Sequence, residues 1–184
     1  MSRDGFTQNE FGLALKLGLF TALVMISVYF LWPIPAIVLA ERETGDVVYR
    51  QGTQAGRCFE LRFLHSYEKG WVEETYQVRD QRSFVLTTHR FQVFCYDARD
   101  QTYPGDFSLD QDGFARVTNI AKSREVVFSH LLIRVANTVP QFLEAEGASV
   151  ALGELVPGGS LLILRIVPVP RIGGKLRSAA EATN

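Results

Sequence analysis

The chain has little cysteine and almost no net charge. Two of its 184 residues are cysteines, Cys58 and Cys95, and 19 Lys and Arg nearly balance 20 Asp and Glu, which leaves a formal charge of −1. Two cysteines are too few for a disulfide scaffold or a zinc ribbon. A balanced charge supplies no positive field to hold nucleic acid. We therefore expect no nucleic-acid partner.

Beyond its first forty residues the sequence also lacks long helical patterns, internal repeats and phosphate-binding loops. The glycine pair Gly158-Gly159 follows Pro157 in a turn. That turn has neither the lysine nor the strand-to-helix context that a nucleotide loop requires. These absences exclude a nucleotide-binding βαβ fold, and we expect no cofactor.

One long apolar segment stands near the N-terminus. No charged residue occurs from Leu17 to Ala40, and Phe11–Trp32 alone provides roughly the 20 residues needed to cross about 30 Å of hydrocarbon. Pro33 and a second proline two residues later end the helix as it leaves the bilayer. We predict a transmembrane helix over 11–35, a signal anchor preceded by a short cytoplasmic N-terminus at 1–10.

A cleaved signal peptide is the alternative interpretation, because small residues precede Glu41 at the positions that a signal peptidase prefers. Against it, the sequence reads as a strand over Ile37–Arg42, a turn at Thr44-Gly45-Asp46 and a second strand. Cleavage after Ala40 would cut the first of these strands. A single early apolar segment ordinarily exports the domain on its C-terminal side, so we expect a single-pass protein of the bacterial inner membrane whose C-terminal domain is periplasmic.

Residues 36–168 have the pattern of one β domain. Short alternating runs rich in Val, Phe, Leu, Thr and Tyr recur between turn residues such as Asp112-Gly113,. They favour a mostly β fold, an antiparallel sandwich or partly closed barrel of about 8–9 strands. Pro140–Glu146 reads as a short helical turn, and residues 169–184 read as a disordered tail. The predicted strands are Ile37–Arg42, Val47–Arg50, Cys58–His65, Val72–Arg79, Phe84–Phe94, Ala115–Asn119, Val126–Ala136, Ser149–Leu155 and Leu161–Val167.

Three ionisable side chains, His65, Glu74 and His89, fall on strand faces that are otherwise apolar, because successive side chains alternate faces. A hairpin that places Val78 opposite Val85 also places Glu74 opposite His89, with Cβ atoms about 5 Å apart. His65 is expected nearby. The three can form a structural network, a ligand-binding pocket or, with two histidines and one carboxylate, an open metal or catalytic site.

Two further expectations come from strand geometry. Ser66 directly follows His65, so their side chains point to opposite faces and do not make a nucleophile–base pair; we assign no catalytic residue. Cys58 and Cys95 lie at opposite ends of the predicted sheet, separated by far more than the Cα limit of about 7 Å for a disulfide. We expect no disulfide and two free, mostly packed thiols.

Residues 63–76 resemble the signature of a bacterial family. Phe63-Leu-His65-Ser66-Tyr67-Glu68 followed by Val72-Glu73-Glu74-Thr-Tyr76 is similar to the "HSVE…PVxE-x-aromatic" signature of a domain-of-unknown-function family. Its members are small membrane-anchored proteins commonly encoded beside TAXI-type TRAP transporters, which are secondary transporters served by a solute-binding protein. Further agreement appears at Asp112-Gly113 with Val117 and Asn119, and in the final strand pair, so the resemblance spans roughly residues 37–167.

Four positions match this signature, namely His65, Ser66, Glu68 and Glu74. The chain departs from it at Trp71, where the family has proline, and at 95–98, where Cys-Tyr-Asp-Ala replaces a Gly-Ala-Gly loop. The resemblance implies an exported accessory to solute uptake and supplies no mechanism.

We therefore expect a membrane-anchored extracytoplasmic accessory or binding protein. Its expected partners are the membrane and either the membrane subunit of a TRAP transporter or its solute-binding protein. An anchored periplasmic enzyme, or a metal- or ligand-binding β domain using His65, Glu74 and His89, is the first alternative. A purely structural envelope scaffold is the second.

Overall fold

The N-terminal helix runs directly into the β domain. In the computed structural model, which describes residues 8–65, 69–92, 103–123, 126–171 and 175–176, helix α1 spans Gln8–Leu31. Its Gly12–Leu31 portion is long and apolar enough to cross a membrane, and none of it is buried against the rest of the chain. The residue before a proline is biased away from helical conformation. The helix accordingly ends before Pro33, which begins the first strand.

The first sheet, sheet A, is built around strand β1. Its strand order is β13-β2-β1-β12-β9, and each strand runs antiparallel to its neighbours. β1 pairs with β12 along its whole length, from Pro33 opposite Pro170 to Glu41 opposite Leu162. The predicted hairpin between β1 and β2 is present, with Gly45 in its turn at φ 78°. The strands are β1 Pro33–Glu41, β2 Val47–Gly52, β9 His130–Arg134, β12 Leu161–Pro170 and β13 Lys175–Leu176.

The second sheet, sheet B, has the order β11-β10-β3-β4-β5-β7-β6, with β8 also pairing with β5. Two short helices, α2 Ile120–Ser123 and α3 Leu152–Leu155, complete the described elements. The strands of sheet B are β3 Cys58–Leu64, β4 Trp71–Val78, β5 Phe84–Gln92, β6 Asp106–Leu109, β7 Phe114–Thr118, β8 Val127–Phe128, β10 Gln141–Ala145 and β11 Ala148–Ala151.

The two sheets pack face to face as a sandwich and are not closed into a barrel. One apolar core joins them, because alternate side chains of each inner face point toward the other sheet. Sheet A contributes Ile37, Leu39 and Leu164, and sheet B contributes Phe59 and Phe84, all buried. The mostly β, antiparallel sandwich predicted from the sequence is confirmed.

The chain around residues 140–155 differs from the prediction. Pro140–Glu146, predicted as a helical turn, instead contains strand β10, which pairs with β3 and buries Leu143. Pairing with a long neighbour outweighs the weak helical preference of this segment. Ser149–Leu155, predicted as one strand, forms β11 followed by helix α3.

The predicted strand Val126–Ala136 is two strands in different sheets. β8 pairs with β5 in sheet B, whereas β9 pairs with β12 in sheet A. The chain therefore crosses the sandwich at Ser129. Asp106–Leu109, which was not predicted as a strand, pairs with β7 at the edge of sheet B.

A β-bulge decides the register of the central hairpin. Val78 lies opposite Phe84, not opposite Val85 as predicted. The register then shifts by one residue beside Thr75, because Thr87 is an extra residue on β5,. Thr87 donates a side-chain hydrogen bond of 2.9 Å to the carbonyl of Thr75.

The shift restores the predicted pairing farther along the hairpin, where Glu74 lies opposite His89. It also changes which side chains of β5 face the core. Phe84 and Leu86 belong to the central core, in place of the predicted Val85 and Thr87.

Candidate functional site

Glu74 is a carboxylate held between the sheets. It lies on β4, two residues before Tyr76, so both side chains point to the inner face of sheet B. The Tyr76 hydroxyl donates a 2.7 Å hydrogen bond to Glu74 Oε2. The side chain of Glu74 is 17% exposed, whereas Tyr76 is 3% exposed.

Aromatic packing fixes the position of Tyr76. Its ring stacks on Phe59 with centroids 5.3 Å apart and meets Phe84 and Phe128 edge-on. Burial, followed by the charge of Glu74 and the hydrogen bond to it, raises the pKa of the Tyr76 phenol far above its ordinary value. Tyr76 therefore remains a neutral donor to Glu74 at any physiological pH.

His89 completes this cluster from the neighbouring strand. Its Nδ1 lies 3.6 Å from Glu74 Oε1, which is beyond ordinary hydrogen-bond length. The ring is buried and packs against Phe91 and Tyr103, each with a centroid separation of 5.2 Å. The predicted pair of Glu74 and His89 is thus brought together. The sequence interpretation treated Tyr76 only as an apolar residue, although its i, i+2 spacing from Glu74 was a readable signal.

Glu74 and Tyr76 line a cavity of about 250 Å³ between sheet B and the edge strand β9. Among the described residues of the lining Glu74 is the only carboxylate, and leucine, isoleucine and phenylalanine side chains provide most of the remaining wall. Gln141 lies at one side, where its Oε1 accepts a 2.8 Å hydrogen bond from the amide of Ala136. The cavity is lined by Leu61, Arg62, Phe63, Glu74, Tyr76, Leu131, Leu132, Ile133, Arg134, Gln141, Phe142 and Leu152.

The structure does not bring His65 to this pair. Leu61 lies opposite Glu74, and His65 follows four residues later, about 13 Å along the strand direction. His65 instead lines a separate cleft of about 600 Å³ with Arg134 and Asn137. Its amide donates a 2.8 Å hydrogen bond to the carbonyl of Gly70. Ser66 and Glu68, the other predicted site residues, lie outside the described residues.

Within the described part of the chain, no group of three or more His, Cys, Asp or Glu side chains is placed to hold a metal ion. The separation of His65 from Glu74 and His89 is the physical reason, since metal ligands must converge within about 2–2.5 Å of one point. The described residues therefore give no support to a metal site made of these three.

The outer face of sheet B has a ladder of ion pairs that the sequence interpretation did not identify. Arg90 donates to Glu73 at 2.7 Å and to Asp110 at 3.1 Å, and it also bonds to Asp112. Arg116 adds a 2.7 Å contact to Asp110. In the strand register, Glu73 on β4 lies opposite Arg90 on β5, and Arg90 lies opposite Arg116 on β7. Because each charge has a partner, the ladder acts as a cross-strand brace.

Cys58 is exposed and free, which differs from the predicted packed thiol. It begins β3 at the rim of the sheet, where there is too little neighbouring structure to cover it. Partial burial still raises the pKa of its thiol. Cys95 lies outside the described residues.

The fold and the site define a two-sheet β-sandwich in which a half-buried carboxylate, Glu74, lies beside a buried tyrosine and a buried histidine, preceded by an apolar helix. Comparison with protein-family models, with curated proteins and with solved structures finds no match to this chain.

Proposed function

We propose that this protein is a single-pass, membrane-anchored accessory module whose sandwich lies outside the cytoplasm and works beside a TRAP-type solute transporter. One observation carries the anchored part of the proposal. Helix α1 is apolar and unburied, and a single residue, Trp32, separates it from β1 at the centre of sheet A. A helix joined in this way keeps the sandwich close to the bilayer, because no flexible linker intervenes.

Tethering supports an accessory role. An anchored domain meets an integral-membrane partner at a high effective concentration, so a weak contact is sufficient. The choice of a TRAP transporter rests on the resemblance of His65-Ser66-Tyr67-Glu68 and Glu74 to the family signature. The partner is either the membrane subunit or the solute-binding protein.

Co-purification tests the partner. The full-length chain is isolated in a native-like detergent from membranes that contain a TAXI-type TRAP transporter, and the retained proteins are identified by mass spectrometry. We expect a transporter component to be retained. A matched control carries an unrelated transmembrane helix in place of 8–31 and keeps the sandwich. Retention by both chains assigns the contact to the sandwich, and absence of every transporter component from both contradicts the proposal.

The cavity beside Glu74 favours ligand binding as a second function. Apolar side chains surround Glu74, and the two arginines of the lining are engaged elsewhere, Arg62 by Glu73 and Arg134 by the carbonyl of Gly159. This arrangement suits a small molecule that has a single ammonium or hydroxyl donor on an apolar body. A dry cavity of about 150 Å³ holds benzene, so the larger cavity here suits a molecule such as phenethylamine.

Titration with phenethylamine, followed by the thermal midpoint, tests this second function. Glu74→Gln removes the charge and keeps the shape, so it should abolish any stabilisation by the amine. His130→Gln, on the exposed side of β9, is the control. No shift in the unchanged protein would contradict an amine site.

A further inference from the structure

The end of the sandwich that faces the membrane can be identified from β1. This strand begins two residues after helix α1, and its first residue, Pro33, lies opposite Pro170 at the end of β12. The amide of Thr53 donates to the carbonyl of Pro35, and the Thr53 hydroxyl donates to Glu146 Oε1 at 2.9 Å. The loop 53–57, the turn at 146–147 and residue 171 therefore share one end of the molecule.

Arg171 lies at the depth of the helix end. Its guanidinium carbon sits 4.3 Å from the ring centroid of Tyr29, which is in the last turn of α1. Tyr29 and Trp32 are both exposed, and aromatic residues at this position in a membrane helix occupy the headgroup region. An arginine stacked on Tyr29 therefore lies among the lipid headgroups.

The hairpin loop 79–83 lies at the same end of the sandwich. Gln81 Nε2 donates a 3.3 Å hydrogen bond to the carbonyl of Pro33, roughly 10 Å beyond Tyr29 at 1.5 Å per helical residue and 3.3 Å per extended residue. Asp80 orders this loop, because its carboxylate accepts from the Ser83 hydroxyl and the Arg82 amide, both at 2.7 Å. These bonds lower the pKa of Asp80, so it stays ionised while it holds the loop. Arg82 is exposed at the tip.

The charges of this end are unbalanced. The four segments 53–57, 79–83, 146–147 and residue 171 contain four arginines, at 57, 79, 82 and 171, against Asp80 and Glu146. Glu146 is already engaged by Thr53 and by Arg57, whose Nη2 lies 3.4 Å away. Both carboxylates thus have partners within the protein, while the end as a whole is positive.

We propose that this end of the sandwich binds the headgroups of anionic phospholipids, with Arg171 and Arg82 as the principal contacts, and that this binding fixes how the domain stands on the bilayer. The inference rests on the proposed anchoring by α1. The geometry favours a lipid over a soluble anion, since Arg171 stacks on Tyr29 at the bilayer surface and the loop that carries Arg82 is bonded to Pro33, two residues beyond the end of the helix.

Hydrogen exchange of the full-length chain in nanodiscs tests this proposal. Exchange of loop 79–83 is compared between discs of pure phosphatidylcholine and discs that also contain phosphatidylglycerol. Each arginine near an anionic membrane surface strengthens the attachment of a protein to that surface about fivefold. We therefore expect the loop to exchange up to about 25-fold more slowly in the anionic discs when both arginines contact lipid. The effect should shrink at high salt.

Two variants separate lipid binding from general stability. Arg82→Gln combined with Arg171→Gln should remove the difference between the two kinds of disc. Arg42→Gln, which follows β1 about 30 Å from Pro33 at the other end of sheet A, should keep it. Equal exchange of the unchanged protein in both discs would overturn the proposal.

Two further arms distinguish the alternatives. Inorganic phosphate added to phosphatidylcholine discs should not slow the loop, and full protection by phosphate would show an anion site in place of a lipid contact. Failure of the chain to enter discs at all would contradict the anchoring itself. Stable incorporation without any dependence on lipid would contradict only the lipid contact.

Discussion

Two buried tyrosines give opposite predictions for the same substitution. Tyr76 donates a 2.7 Å hydrogen bond to the Glu74 carboxylate. Tyr49, buried on β2, has no hydrogen-bond partner for its hydroxyl among the described residues. Replacing either residue by phenylalanine removes one oxygen and keeps the ring. Any difference between the two variants therefore measures the hydrogen bond and not the loss of packing.

The expected cost of Tyr76→Phe is set by that bond. A hydrogen bond to a charged group contributes about 1.5–3 kcal/mol, and the Glu74 carboxylate retains some access to water through the cavity. We expect a loss of about 2 kcal/mol in the free energy of unfolding, or roughly 6–8 °C in the thermal midpoint of a domain this size. Tyr49→Phe should be neutral or stabilise by up to about 1 kcal/mol, because it removes a buried hydroxyl without a bonding partner.

The pH dependence of the free energy of unfolding at alkaline pH gives a second, independent measure of the environment of Tyr76. Burial raises the pKa of both phenols, and Glu74 raises that of Tyr76 further. The folded protein therefore keeps protons that the unfolded chain releases above about pH 10, and stability falls there by up to about 1.4 kcal/mol per pH unit for each such tyrosine. Tyr76→Phe should remove its share of this slope.

Both variants can be assayed as full-length chains in detergent, by equilibrium denaturation followed with near-ultraviolet circular dichroism at pH 7 and above pH 10. Equal losses for Tyr49→Phe and Tyr76→Phe would refute this reasoning, because the bond to Glu74 would then contribute nothing. A neutral Tyr76→Phe with an unchanged alkaline slope would refute it as well.

Three smaller predictions concern charge and space. Burial, with lesser effects from two neighbouring carboxylates, raises the pKa of Glu60, so Glu60→Gln should raise the thermal midpoint at pH 7 and lose that effect below about pH 4; no gain at pH 7 would contradict this. Arg90→Gln removes three ion pairs of the ladder, while Asp110 keeps Arg116 and Glu73 keeps Arg62, so it should cost about 2 kcal/mol in urea denaturation, whereas Arg57→Gln, at a side chain 64% exposed, should cost less than about 1 kcal/mol; similar costs would show that burial does not matter here. Gly105→Ala would place its Cβ 2.4 Å from the carbonyl of Thr118, so a midpoint lowered by several degrees is expected, and an unchanged midpoint would contradict that close approach.

Local strand pattern predicted the sandwich and the pair of Glu74 and His89. Alternation marks the faces of β3 and β4 directly, because apolar residues recur at every second position. The predicted register at the turn between β4 and β5 was wrong by one residue. The predicted pairing of Glu74 with His89 was nevertheless correct, because the bulge at Thr87 shifts the register back by one residue. Nothing in the local sequence distinguishes Thr87 from an ordinary strand residue.

The cavity beside Glu74 depends on long-range packing, and so does the separation of His65 from Glu74 and His89. After β8 the chain leaves sheet B at Ser129, and β9 joins sheet A; this crossing sets Leu131 and Ile133 across from Glu74. A continuous strand over Val126–Ala136, as predicted, would have left no such gap. His65 was expected near the pair because it shares the inner face, but the same face of one strand extends well beyond hydrogen-bond reach.

Cys58 provides a direct test of whether α1 holds the sandwich outside the cytoplasm, because this cysteine is exposed and free. A chain with Cys95→Ser is treated with a membrane-impermeant maleimide on intact spheroplasts at about pH 8, since the raised thiol pKa slows labelling at lower pH,. The membranes are then washed with carbonate. We expect Cys58 to be labelled without lysis and the chain to stay in the membrane. Labelling only after lysis, or release of the chain by carbonate, would contradict the claim.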